Sequence, residues 1–465
     1  MTRTTRTEHD SLGDMEIPDD AYYGVQTARA MVNFPVSGQR ERPELIKAYV
    51  LVKKVAALTN RDLGLLDPTI AEAILEAADE ALSGGFNDHF TVDVFQAGAG
   101  TSFNMNTNEV IANRALEILG RKRGEYEHLS PNDHVNMAQS TNDSFPTASH
   151  IAIVHATDPL IEIIQDLANA LGWKGDEFLD VPKSGRTHLM DATPMTLGHE
   201  FHAYAYALRR AVVRIEQRRF DLLELPIGGT AVGSGVNAHP EYRTRFLSHL
   251  EDLTGPHWRH AANSFEALQS RSIMASYSGA IRELAQELIK IANDLRLLGS
   301  GPTTSLAEIR LPAVQPGSSI MPGKVNPVMA ECLNMICFHV IGNDTAVSLA
   351  AQAGQLELNV MTPVMIHNIL ESISLLSNYL PVFRERCIEG IQAEREHCLS
   401  HLELNPSQAT LLNPRIGYLK AAELAKESFG RGIPVKELAV EKGILTREEA
   451  EELFDPKRSA KGLYD

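Results

Sequence analysis

The sequence predicts a mainly helical, all-α protein built around long helices that pack on one another. Two apolar seams carry that expectation. Ile281, Leu284, Leu288, Ile291, Leu295 and Leu298 recur at alternating steps of three and four, and Leu197, Phe201, Ala205, Leu208, Val212 and Ile215 do likewise; this is the pattern of helix-on-helix packing. A helix of about thirty residues runs roughly 45 Å, more than one small core covers. The seams therefore imply a bundle that lies against copies of itself. Capping signals near both ends of the chain delimit shorter helices.

In chain order, Asp67-Pro68 reads as an N-cap followed by proline at N1, Ile70, Ile74 and Ala78 form a stripe, and Gly84-Gly85 stops the helix. The N-terminal region is thus a compact set of short elements. Pro327 begins another long helix, and Thr446 caps a late one with Glu449 as its capping-box partner. The expected division is an N-terminal domain over 1–139, a central helical bundle over 140–396 and a small helical domain over 397–465, in keeping with a chain of 465 residues. No internal repeat is visible.

Composition narrows the partners. The net charge of −17 disfavours nucleic acid and anionic membranes. Cys332, Cys337, Cys387 and Cys398 match neither a zinc spacing nor a CxxC motif, so reduced thiols packed as small hydrophobes are expected. The segment MTRTTRTEHD lacks an apolar run, and no uninterrupted apolar stretch reaches membrane length. A soluble cytoplasmic protein with a small-molecule substrate is the expectation.

The undecapeptide GSSIMPGKVNP at 317–327 is the most informative segment. Gly317 and Gly323 permit backbone shapes closed to other residues, while Pro322 and Pro327 restrict φ. Between them Ser318, Ser319, Lys324 and Asn326 offer hydroxyl, ammonium and amide donors suited to a carboxylate or phosphate. Four further polar groupings accompany it. Thr101, Ser102, Asn104, Asn106 and Asn108 follow Gly98 and Gly100, although a helix cap needs only one such residue. Ser140, Thr141, Asn142 and Asp143 precede a helix; with Asp143 or Ser144 as cap, the first three have no structural duty and face a helix N-terminus that favours anions. Lys183, Arg186, Thr187 and His188 lie before the helix begun by Thr196. Glu331, one turn into the helix after Pro327, is the candidate acidic partner that orients His188.

No dinucleotide fingerprint, Walker loop or clustered metal ligands are present, so no cofactor or metal is called for. Anion donors, a histidine and loop hydroxyls suit abstraction of a proton beside a carboxylate. That step places a second negative charge on the carboxylate, and fixed donors set the barrier. On residue chemistry alone His188 is the base, because a serine hydroxyl needs a strongly depressed pKa.

The chain resembles the fumarase/aspartase superfamily over nearly its whole length. The matching segments are DAYYGVQT (20–27), FQAGAGTSFNMNTNEVIANRA (95–115), PNDHVNMAQSTNDSFPT (131–147), GRTHLMDATPMTLGHEF (185–201), GQLELNVMTPV (354–364) and NPRIGYLKAAELAK (413–426). The resemblance implies a homotetramer with a twenty-helix core, five long helices from each subunit, and active sites shared between three subunits. It implies Ser318 as general base with Lys324 and backbone donors supporting its alkoxide. Thr101, Ser140, Thr141 and Ser319 would hold the carboxylate that becomes the aci form; Thr187, Lys324 and Asn326 would hold the other, with Asn142 and His188 near the amino group. Fumarases usually read GTQTNMN, SSND and GNFELNVF where this chain has GTSFNMN, STND and GQLELNVM. Those differences, Tyr23 and Ser130 resemble the aspartate ammonia-lyase branch, which converts L-aspartate to fumarate and ammonia. A class II fumarate hydratase is the alternative, as is a lyase of a substituted aspartate, because GPTTSL (301–306) departs from the usual GPRAGL, and Met190 and His199 each replace glutamine. A silent structural protein would be free to lose Ser318, Lys324 or His188, and all three are retained.

Overall fold

The computed structural model describes residues 4–461, so the first three and last four residues of the expected terminal domains lie outside it. It is mainly helical, as the seams predict. A hairpin opens the described chain, β1 (Thr5–Asp10) antiparallel to β2 (Gly13–Pro18), with Thr5 opposite Pro18. The helices α1 (Val25–Asn33), α2 (Pro43–Asp62), α3 (Pro68–Leu82) and α4 (Thr101–Ile118) follow. Asp67 caps α3 through Thr69 and Ile70 N–H, and Gly84 adopts φ 92° just past its end, as the cap and stop signals require.

Five helices exceed twenty residues: α5 (Thr141–Glu177), α6 (Leu197–Asp221), α9 (Ser272–Leu298), α10 (Val328–Gln352) and α11 (Thr362–Phe383). Between α6 and α9 come α7 (Tyr242–Thr254) and α8 (Ser264–Gln269). Every residue of both predicted seams is buried. The sequence did not anticipate a second hairpin, β3 (Pro182–Thr187) with β4 (Met190–Thr196). It occupies the stretch read as a lead-in to a helix, and α6 begins at Leu197 with the Thr196 hydroxyl accepting from His199 N–H at 3.2 Å.

Two compact units emerge. The first takes in the chain up to Leu160, Val213–Glu283 and His339–Leu376; the second takes in Ile161–Val212, Leu284–Phe338 and the chain from Ser377 onward. In the first, α2 packs on α3 and α3 on α4. Tyr49 sits between Phe103 and Phe145, with ring centroids 5.5 and 5.7 Å away. In the second, Phe178 meets Phe201 edge-on at 5.3 Å. Its last part comprises α12 (Arg395–Leu404), α13 (Asn413–Ile416), α14 (Tyr418–Arg431), α15 (Val435–Glu441), α16 (Arg447–Leu453) and α17 (Pro456–Ser459). Leu412, Leu424, Val435, Leu438, Leu445 and Phe454 form a core there. The predicted capping box of Thr446 and Glu449 opens α16. No helix of the described residues is long and apolar enough to cross a membrane.

Candidate active site

In the first unit, the backbone before α4 is shaped by close approach. Gly100 has φ 83°, and a Cβ there would lie 2.1 Å from the Phe145 ring; only glycine fits. Ala99, at φ 62°, donates its N–H to Val360 O at 2.7 Å. This turn delivers Thr101 as the exposed first residue of α4. The asparagines after it are not spare donors, which corrects the sequence reading. Asn106 accepts from Thr91 N–H at 3.0 Å and donates to His89 O at 2.9 Å, and Asn104 and Asn108 point into a buried polar network.

Lys53 is the centre of that network. Its fully buried Nζ donates to Asn104 Oδ1 (2.7 Å), Asn136 Oδ1 (2.9 Å) and Gln139 Oε1 (2.9 Å). Three acceptors match the three donors of an ammonium, although burial draws the lysine down to about 7. The network ties α2 and α4 to the segment that leads into α5.

At the start of α5 the sequence reading is corrected again. Ser140 is the cap: its Oγ accepts from Asn142 N–H at 3.2 Å, and its own N–H donates to Asp143 Oδ1 at 3.0 Å, a reciprocal box. Asn142 also has a duty, donating to Ala231 O at 2.8 Å. Asp143 Oδ2 accepts from Gly228 and Thr230 N–H at 3.0 and 2.8 Å. These backbone donors favour the carboxylate, while burial pushes Asp143 up to about 7. The Ser140 hydroxyl keeps its own hydrogen for a further acceptor. Thr141 lies beside it at the first helical position, buried.

In the second unit, β3 and β4 meet in a two-residue turn. His188 and Leu189 take φ 56° and 60°, a left-handed pair usually filled by Asn-Gly. Side chains there resist that backbone by about 1–2 kcal/mol per residue. The turn exposes Thr187, His188, Leu189 and Met190. Lys183 is instead fully buried, with Nζ 2.9 Å from Glu200 and 2.7 Å from Glu308, so it supports the hairpin from within.

The signature loop is closed by its own backbone. Gly317 N–H donates to Lys324 O at 2.8 Å, Asn326 Nδ2 to Gly317 O at 2.6 Å, and a Cβ on Gly317 would lie 2.4 Å from Lys324 O. Gly323 turns the chain at φ 79°. Ser318 Oγ accepts from Ile320 and Met321 N–H at 3.3 and 3.0 Å. Two N–H dipoles aimed at a hydroxyl oxygen favour its anionic form. Ser319 and Lys324 are exposed, and Ser318 and Asn326 partly so. Glu331 lies in the first turn of α10, but no hydrogen bond or ion pair within this chain joins it to His188.

The predicted residues therefore fall into two sets. Thr101, Ser140, Thr141 and Asn142 belong to the first unit, whereas Lys183, Thr187, His188, Ser318, Ser319, Lys324, Asn326 and Glu331 belong to the second. Sequence reasoning missed Lys53, Asn136, Gln139 and Glu308. One signal was present for Lys53: in YVLVKKVAAL two adjacent lysines interrupt an apolar run, and a helix face can take only one of them to water. Among the described residues no group of three or more His, Cys, Asp and Glu could hold a metal ion.

Residues 13–342 match a family described as Lyase, and residues 409–458 one described as Fumarase C C-terminus. An aspartate ammonia-lyase from Bacillus sp is 49% identical over 98% of this chain and 97% of its own. A class II fumarate hydratase from Thermosynechococcus vestitus is 48% identical over 97% of this chain and 96% of its own. Among solved structures, a Brucella melitensis fumarate lyase:delta crystallin bound to cobalt has a TM-score of 0.96 at 47% identity, covering 99% of this chain and 100% of that one. Matches of this extent, on a helical fold with the signature loop in place, mean that the chain belongs to the fumarase/aspartase superfamily of lyases.

Proposed function

We propose that the protein is an ammonia-lyase that reversibly converts L-aspartate to fumarate and ammonia. The observation that carries this reading is the pair of backbone N–H groups on Ser318 Oγ, in a loop that also presents Lys324. Ser318 takes the C3 proton, and the C–H electron pair moves into the adjoining carboxylate to give the aci form. Collapse of that form breaks the C2–N bond, and the amine leaves with its electron pair. Thr101, Ser140, Thr141 and Ser319 hold the aci-carboxylate; Thr187, Lys324 and Asn326 hold the other; Asn142 and His188 attend the amino group. Glu331 orients His188 once subunits assemble.

The assembly in this reading is a cytoplasmic homotetramer with shared sites. Its supports are the five long helices and the exposed Trp173, Tyr206, Phe220, Met335, Phe338 and Leu349 on them, apolar area that a bundle of copies would cover. The three-part division at 139/140 and 396/397 belongs to the same reading. Mixing inactive Ser318→Ala and Thr101→Ala subunits should restore activity; no recovery would count against shared sites.

The second reading is a class II fumarate hydratase, which the 48% identical relative of that name favours. GTSFNMN, STND and GQLELNVM support the first. Incubation with L-aspartate and with L-malate separately, followed by the ultraviolet absorbance of fumarate, decides between them. Faster dehydration of malate would reject the ammonia-lyase. Thr303, Thr304 and Ser305 make 3- and N-substituted aspartates worth including, and activity on one of those alone would keep the class and change the substrate.

A further inference from the structure

The hairpin that carries Thr187 and His188 holds two consecutive left-handed residues with neither glycine nor asparagine, and its tip lies open to solvent. Such a turn persists only if its surroundings impose it. The constraint is found lower in the hairpin. Asn405 Nδ2 donates to Ser184 Oγ at 2.9 Å and to Ala192 O at 2.7 Å, bridging the two strands, and Ser407 Oγ donates to Asp191 O at 2.9 Å. A bulge separates Ser184 from Arg186, and a Cβ on the intervening Gly185 would lie 2.8 Å from Thr193 O.

On the β3 side, across from the Ser407 bond to Asp191, the hold nearest the tip is a carboxylate. Glu308 is fully buried, and its Oε1 accepts from Arg186 at 2.7 Å and from His401 Nδ1 at 3.1 Å, while Oε2 lies 2.7 Å from Lys183 Nζ. It thereby binds two cations of β3 and one side chain of α12. Arg186 lies on β3 two residues before His188 in the turn, so the Arg186 anchor fixes where the turn begins. Glu308 is itself delivered by the turn containing Thr303, Thr304 and Ser305, where Ala307 adopts φ 47° and Glu308 N–H bonds Leu298 O at 2.9 Å.

We infer that Glu308 is a positioning residue: acting through Arg186, it sets the hairpin tip for substrate binding without touching substrate. This rests on the reading that Thr187 and His188 belong to the site. The test uses the full chain with Glu308→Gln, which keeps the shape and removes the charge. Arg186→Gln cuts the same link at a partly exposed position, in case the buried change prevents folding. Amide hydrogen exchange across 185–196 reports the hairpin directly, and KM against kcat reports the site. A merely structural loss lowers the active fraction and leaves KM alone.

The expected result is faster exchange at the tip and a KM raised about 10- to 100-fold, for whichever of L-aspartate and L-malate the parent turns over, with a smaller change in kcat. The double variant should be no worse than the worse single one, because both act on one link. Folded variants with parental exchange and parental KM would overturn the inference, as would a raised KM that adds fully in the double variant. His188→Ala separates the two layers: if it leaves KM unchanged, the reading of the site fails, and exchange alone then decides whether Glu308 holds the hairpin.

Discussion

The start of α5 and the loop at 317–326 both present hydroxyl and amide donors, yet they hold them in opposite ways. Ser140 is fixed as a helix cap, Asn142 is tied to Ala231, and beneath them Asp143 gathers three backbone N–H groups. In the loop, the side chains of Ser318 and Asn326 bond to backbone of the same loop, and Ser319 and Lys324 reach solvent. A donor that is also a cap cannot move without unravelling a helix turn, which suits a carboxylate clamp. A donor in a self-closed loop can travel as a unit with its two N–H groups, which suits a base that must approach and leave.

The strongest way to break this contrast is Ser318→Ala. Turnover should fall by about 10² to 10⁴-fold, roughly 3 to 5 kcal/mol of barrier, with substrate affinity within a few-fold of the parent. A loss of affinity equal to the loss of turnover would make Ser318 part of the clamp. On the other side, Lys53→Met would leave Gln139 Oε1 without a donor, at about 1–3 kcal/mol, and would remove the charged donor from Asn104 Oδ1 and Asn136 Oδ1, which keep Tyr49 and the amides of Asn104 and Asn108. Stability should drop by roughly 3 kcal/mol or more in a urea titration, and a shift under about 1 kcal/mol would show that the network does not anchor the clamp.

A comparable effect is expected in acid for the ion cluster under the hairpin. The neighbouring Arg186 and Lys183 cations hold Glu308 down to about 2, from 4.5, against burial. Its contribution of roughly 3 kcal/mol is present above pH 4.5 and lost as pH falls toward 2. Glu308→Gln should flatten that acid limb of the urea midpoint; an unchanged slope would place the proton uptake elsewhere. The smallest effects sharpen the comparison from outside both regions. Asp67→Ala and Thr446→Ala each remove a cap remote from the proposed chemistry, and each should cost about 1 kcal/mol of stability with kcat and KM unchanged.

The contrast also marks what could be read from sequence. Apolar seams and the caps at Asp67 and Thr446 depend on local spacing, and all took the predicted form. The β3–β4 hairpin was invisible because PKSGRTHLM has no period-two alternation and no Asn-Gly at its turn; the side chains that bond it, those of Glu308, Asn405 and Ser407, lie more than a hundred residues away. Asn104, Asn106 and Asn108 looked like surplus donors because a spacing of two spreads them around a helix, and only burial of every face of α4 gives them partners. Ser140 was passed over as a cap since Asp143 and Ser144 were equally good candidates by residue type. The donors of the signature loop were legible from their order alone; the two N–H groups on Ser318 were not, because backbone direction is absent from a string of side chains.

The central claim is that Ser318 performs the proton chemistry and the other donors bind. Solvent exchange of the substrate's C3 proton tests it most directly, since exchange needs abstraction but not loss of the amine. Followed by NMR in deuterated buffer, Ser318→Ala should lose exchange by the same factor as turnover, whereas His188→Ala should still exchange at saturating substrate. Near-parental exchange in Ser318→Ala, with none in His188→Ala, would make the histidine the base and contradict the account.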